Sequence, residues 1–226
     1  MPRTFNPTAH AVRRDTFLDA AQRLIQARGY DQMSIQDVLD EVGASRGAFY
    51  HYFDSKTALL DAVVERMVIA GLVAVTPIVS DPSLSAPEKL SRLFTGLARW
   101  KADRRDLVLA LLRVWYSDDN ALVRDKLRRR MMVHLVPILT EIVDQGRAEG
   151  TFSASLPDAP RIIVLLLQGA QDEAGELFFA RQANSIPFEA VETFLSSIAD
   201  SMERILGAKP GSLTILEPGT LRLWFG

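Results

Sequence analysis

Residues 34–56, SIQDVLDEVGASRGAFYHYFDSK, constrain the fold more than any other stretch of the chain. Ser34 followed by Asp37 has the spacing of a variant capping box, in which the hydroxyl accepts a first-turn N–H and the carboxylate reaches back. Ile35, Val38, Leu39 and Val42 recur at one-face helical spacing, which predicts a short helix with one buried stripe. Gly43 ends it, because the residue just past a helix usually takes a left-handed backbone that glycine adopts at little cost. Ser45 then caps a second short helix, predicted to run through Phe49 to about residue 53. Two short helices joined by a tight glycine-containing turn make a helix-turn-helix.

Between its buried positions the second helix projects Arg46, Ala48, Tyr50 and His51. Hydrogen-bonding tips interleaved with small residues suit a helix laid in the major groove of DNA, where donors must reach base edges and the backbone must come close. Ser34, Ser45 and the Asp54-Ser55-Lys56 segment each open a helix, and exposed N–H groups at the positive dipole end favour phosphate oxygens. Any one of these serines alone would read as an ordinary cap on a helical bundle. The run Gly43-Ala44-Ser45-Arg46-Gly47-Ala48-Phe49-Tyr50-His51-Tyr52-Phe53-Asp54-Ser55-Lys56, with Met33 before it and Leu59-Leu60 after it, resembles the DNA-binding domain of the tetracycline-repressor (TetR) family of transcriptional regulators. The resemblance covers residues from about 15 to 64. It departs where the family's usual threonine is Ser34 and its usual Ile-Ala pair is Asp37-Val38. It implies a DNA-contacting set of Ser34, Ser45, Arg46, Gly47, Ala48, Tyr50, His51, Tyr52 and Lys56, with Lys56 on a phosphate.

Charge neither demands nor forbids this. The chain carries a formal net charge of −2, and residues 1–56 hold seven basic and seven acidic side chains. An operator reader needs basic groups on one face only; Arg13, Arg14, Arg46 and Lys56 are the candidates, with the acids expected on the other side. There are no cysteines and three scattered histidines, which leaves no disulfide framework or zinc constellation. No apolar segment follows the first residues as a signal peptide would require, and the apolar runs at 67–79 and 162–167 fall short of the ~20 residues that span a bilayer. The expectation is a soluble cytoplasmic protein with no membrane partner.

The predicted architecture is all-α: a three-helix head and a helical-bundle body. Residues 1–56 are assigned to the head, with 1–12 as a flexible arm that reads as an untethered tail rather than as a minor-groove reader through Arg3, and with the first helix starting at Arg13. Residues 57–206 are assigned to a body that binds ligand and dimerises. Its first helix is predicted to stop at Pro77, and a later one, from about residue 121 to Gly150, to kink at Pro137. The basic run Arg124, Lys126 and Arg128–Arg130 reads as a solvated face rather than a second DNA surface. Two further helices, about 158–181 and 187–206, close the monomer core or, as the resemblance implies, pair into a homodimer seam that includes Phe194 and Ile198. Residues 207–226 carry two Pro-Gly pairs flanking alternating apolar runs, which reads as a hairpin, a loose tail or a partner-clasping tail.

The resemblance further implies release from DNA by a small-molecule effector bound in the body, with no cofactor. Read onto this chain, the pocket residues are Phe94, Trp100, Leu111, Trp115, Met131, His134, Gln168 and Asp172. Most are apolar with a few polar groups, the usual lining of a small-molecule site, although Leu111 and Met131 also fit plain core spacing. An all-α enzyme is the rival class, with His134, Asp172 and Glu173 as its acids and bases. No motif pairs a nucleophile with a base or cradles a phosphate, so a non-enzymatic regulator is the reading. A helical interaction module without DNA binding is the third.

Overall fold

In this computed structural model, residues 7–115 and 121–226 are described, together with the side chains of all of these except Pro7, Val114, Trp115 and Leu122. Arg3 therefore lies outside the described residues. Ten helices and no strand are found among them: α1 (Pro7–Arg28), α2 (Ile35–Val42), α3 (Arg46–Tyr50), α4 (Lys56–Val79), α5 (Ala86–Ala102), α6 (Arg105–Trp115), α7 (Ala121–Glu149), α8 (Ala159–Gln182), α9 (Phe188–Leu206) and α10 (Pro218–Phe225). The all-α expectation holds. The chain divides into two units, residues 1–69 with 104–127 and residues 70–103 with 128–226. The first unit thus takes in more than residues 1–56, adding the start of α4 and also α6, which packs on α1.

In the first unit Phe17, Ala20, Ala21 and Ile25 of α1 are fully buried, as are Phe49 of α3 and Leu59 of α4, and the Phe17 ring meets Phe49 edge-on. Phe17, Phe49 and Phe53 pack as a ring trio with centroids 5.7–6.2 Å apart. Arg66 on α4 ties to Asp19 at 2.7 Å and to Gln22 at 2.9 Å, both on α1. α1 begins at Pro7 rather than Arg13. The proline opens the helix instead of excluding it, since its missing N–H falls where no intrahelical partner exists. α4 likewise runs through Pro77 to Val79, so that proline occupies the last turn and does not stop the helix. With 24 residues, α4 is long and apolar enough by composition to cross a bilayer, unlike the shorter run counted from sequence. Its Leu59, Leu60, Val63, Val75 and Val79 are nonetheless buried within the protein.

The second unit has its own core, in which Leu90 and Leu93 of α5, Leu139, Ile142 and Val143 of α7, Ile163 and Val164 of α8, and Met202 and Leu206 of α9 meet around Phe152. Gly146 permits this closure of α7: a Cβ there would lie 2.1 Å from the Phe152 ring. α7 passes through Pro137 as one helix. Ile198 is 8% exposed and belongs to this core, which corrects the expectation that it faces a dimer seam, and Phe194 packs partly buried against the same cluster. The exposed side of α9 is polar, with Glu192, Thr193, Ser196, Ser197 and Asp200. On α8, by contrast, Ile162 and Leu165 are 38% and 53% exposed.

The last 20 residues form a strap, not a hairpin. After Gly207 (φ 62°), Leu213 is buried, Thr214 donates its N–H to Ser91 Oγ at 3.1 Å, and Glu217 pairs with Arg99 at 2.8 Å. α10 then packs on α5 and α8, with the Arg181 Nε donating to the Phe225 carbonyl at 2.9 Å. Pro218 stands at a helix start here, and Leu221 and Phe225, four apart, are the buried pair; alternation and helical spacing coincide in so short a run.

Candidate nucleic-acid interface

The two motif helices are fixed by local chemistry that the sequence announces. Ser34 Oγ accepts the Asp37 N–H at 3.1 Å, and Asp37 Oδ2 accepts the Ser34 N–H at 2.7 Å, closing the capping box. The Ser34 hydroxyl also donates to Asp37 Oδ2 at 2.7 Å, and this bond first, with the Ser34 N–H next, holds the Asp37 carboxyl below its ordinary range. Gly43 ends α2 in the left-handed region (φ 62°, ψ 47°). Ser45 Oγ then accepts the Ala48 N–H at 3.3 Å to open α3, which ends at Tyr50 rather than residue 53. Ser55 Oγ accepts the Ala58 N–H at 3.0 Å and starts α4.

This frame buries one residue of α3 and displays the rest. Phe49 is fully buried, whereas Ser45, Arg46, Gly47, Tyr50 and His51 are exposed and Ala48 and Tyr52 half-buried. Ser34 is exposed at the start of α2, one helix away. α1 braces the far end of the display: the His10 ring lies 4.6 Å from Tyr52 and 5.4 Å, edge-on, from His51. That brace was invisible while residues 1–12 read as an arm. Acids of α2 turn to α1, where Glu41 pairs with Arg23 at 2.6 Å and Asp37 with Arg28 at 3.2 Å.

Three of the four basic candidates, Arg13, Arg14 and Lys56, are seated on rings. The Arg13 guanidinium stands 5.6 Å from the Phe17 centroid, that of Arg14 5.5 Å from Phe53, and the Lys56 ammonium 4.2 Å from Tyr30. Sequence reading singled out the cations and missed their aromatic partners, because only Arg13 and Phe17 stand at a helical i, i+4 spacing.

The residues assigned to an effector site are dispersed. Phe94 and Met131 lie partly buried at the edge of the second unit's core, and Trp100 packs on Gly71, whose Cβ would meet the ring at 3.5 Å. His134 is half-buried. Gln168 donates to the Arg128 carbonyl at 2.8 Å and Asp172 accepts from the Arg128 guanidinium at 2.5 Å, so one arginine gathers both. Leu111 is buried in the first unit, and the side chain of Trp115 lies outside the described residues.

Comparison with known proteins agrees with this geometry. Residues 17–63 match the family described as bacterial regulatory proteins, tetR family. An HTH-type transcriptional regulator from the lacX 3' region of Lactococcus lactis is 42% identical over 55 residues, but that match spans 24% of this chain and 28% of the relative. The HTH-type transcriptional repressor Rv1474c of Mycobacterium tuberculosis is 31% identical over 134 residues, which is 56% of this chain and 70% of that one. The crystal structure of RolR in complex with resorcinol superposes with a TM-score of 0.63 over 96% of this chain and 95% of its own, at 17% identity, a likeness of fold. With a family match on the helix-turn-helix, a repressor relative beyond it and a shared helical fold, the chain belongs to the TetR family of transcriptional regulators.

Proposed function

We propose that the protein is a ligand-responsive repressor that binds a near-palindromic operator as a homodimer and leaves it when a small, mostly hydrophobic effector occupies the second unit. The observation that carries the DNA-binding half is the display on α3: Arg46, Gly47, Tyr50 and His51 are exposed on a helix anchored by the fully buried Phe49 and capped at its start. Arg46 and Tyr50 read base edges and nearby phosphates, Gly47 and Ala48 let the backbone approach, and Ser34, Ser45, Tyr52 and Lys56 fix the register on phosphate. A homodimer presents two such helices to half-sites about 34–36 Å apart. The exposed Ile162 and Leu165 of α8 supply the apolar surface for that pairing.

The effector half rests on Phe94, Trp100, Met131 and His134, with Gln168 and Asp172 as the polar groups. Both of the latter already hold Arg128, so a ligand that uses them competes with or caps that arginine. Occupancy lowers operator affinity only in so far as the ligand prefers the conformation that does not fit the half-site spacing. DNase footprinting on the duplex upstream of the protein's own coding sequence tests the first half. Two protected half-sites one helical turn apart support it, and a single unordered stretch of protection contradicts it.

A further inference from the structure

Tyr30 sits in the turn between α1 and α2, just after Gly29, whose φ of 82° ends the first helix. It is 7% exposed. The Met33 N–H donates to its carbonyl at 3.1 Å, which closes the turn. Over the face of its ring stands the Lys56 ammonium, 4.2 Å from the centroid, which also donates to the Asp31 carbonyl at 3.3 Å.

We infer that Tyr30 is a positioning residue for DNA binding, its ring face and the adjacent Asp31 carbonyl forming a seat that presets the Lys56 ammonium at the first turn of α4. The inference rests on the reading that the first unit binds DNA. An ammonium has three donors on a four-carbon stem with considerable rotamer freedom. The carbonyl takes one donor and the ring face occupies a second direction. The remaining donor is left for an anionic oxygen, beside the helix start that Ser55 caps. A lysine already ordered in the free protein loses less freedom when it meets a phosphate. Partial burial also lowers the ammonium's proton affinity, while Asp31 and Asp37 hold the charge on it.

The test is a double-mutant cycle on Tyr30→Leu and Lys56→Ala, read by fluorescence anisotropy on the upstream duplex over a range of salt. Tyr30→Leu weakens binding about threefold to tenfold, the range expected for losing a cation–π seat. It adds nothing once Lys56→Ala is present, and Tyr30→Phe, which keeps the ring, binds as the parent does. A Tyr30→Leu loss of equal size in both backgrounds marks a merely structural role and overturns the inference, as does unchanged affinity. In the free protein, the Lys56 ε-methylene proton resonances are shifted upfield by the ring in the parent and in Tyr30→Phe but not in Tyr30→Leu. Unshifted resonances in the parent overturn the seat whatever DNA does. If the parent does not prefer the upstream duplex over unrelated DNA while the shift is present, the DNA-binding reading is what fails, and the positioning role falls with it.

Discussion

The Glu203 carboxylate accepts the Leu213 backbone N–H at 2.9 Å, ten residues on, and with its other oxygen the Gly211 N–H at 2.9 Å. Glu203 is 4% exposed, so α9 buries an acid to hold the strap that follows it. Removing the carboxylate leaves the Leu213 N–H buried and unsatisfied, which costs about 1–3 kcal/mol. Glu203→Ala should therefore lower the unfolding free energy read from urea titration by an amount in that range. The exposed Arg99–Glu217 pair on the same strap should matter little: Arg99→Ala should cost less than about 1 kcal/mol. Equal effects from the two variants would show that the strap is not anchored at Glu203.

Acid should destabilise the fold through a defined set of carboxylates. Asp37, Asp81 and Glu88 are held below their ordinary range first by hydrogen bonds from the Ser34, Ser83 and Ser85 hydroxyls, and Glu149 first by the Ala86 backbone N–H. A depressed carboxyl pKa in the folded state contributes stability above the unfolded value, and loses it as pH falls through the folded one. Urea midpoints should be flat from neutral pH to about 5 and drop below about 4, the unfolded carboxylate range. Asp37→Asn should make that drop shallower; an identical acid profile would remove the capping box from the account.

The two motif helices are legible because their signals are local: Ser34, Asp37, Gly43 and Ser45 act on backbone groups within four residues. Prolines misled where position decides their meaning. Pro7 and Pro218 open helices and Pro77 sits in a last turn, places that the residue type alone does not tell apart from an arm, a turn or a helix stop. Gln168 and Asp172 read as polar groups of an effector site, but both hold Arg128, which lies 40 and 44 positions away, and nothing local identifies it. Ile198 fits a seam and a core equally by periodicity; only the packing of Ile163, Met202 and Leu206 around it assigns the core.

That assignment separates two substitutions. Leu165→Glu on the exposed face of α8 should yield a folded monomer in sedimentation, with melting of secondary structure lowered only by loss of the partner. Ile198→Glu places an unpaired charge in the core of the second unit and should unfold that unit, since such burial costs several kcal/mol. A Leu165→Glu variant that still sediments as a dimer would move the interface off this face.

His134→Ala and Gln168→Ala should raise the effector concentration needed to release DNA while leaving operator affinity without effector unchanged. Release assayed with a panel of small aromatic and acyl compounds would check this. A response confined to highly polar, charged compounds, or one unaffected by both variants, would contradict the assignment of the site.

Whether α3 reads DNA is decided by anisotropy titration of the upstream duplex against an unrelated duplex of equal length. The parent should bind the upstream duplex at least about 10³-fold more tightly at physiological salt. Tyr50→Ala should lose most of that preference and Arg46→Ala should change which operator variants are favoured, both with melting unchanged. Equal affinity of the parent for the two duplexes, or parental binding by both variants, would contradict the account.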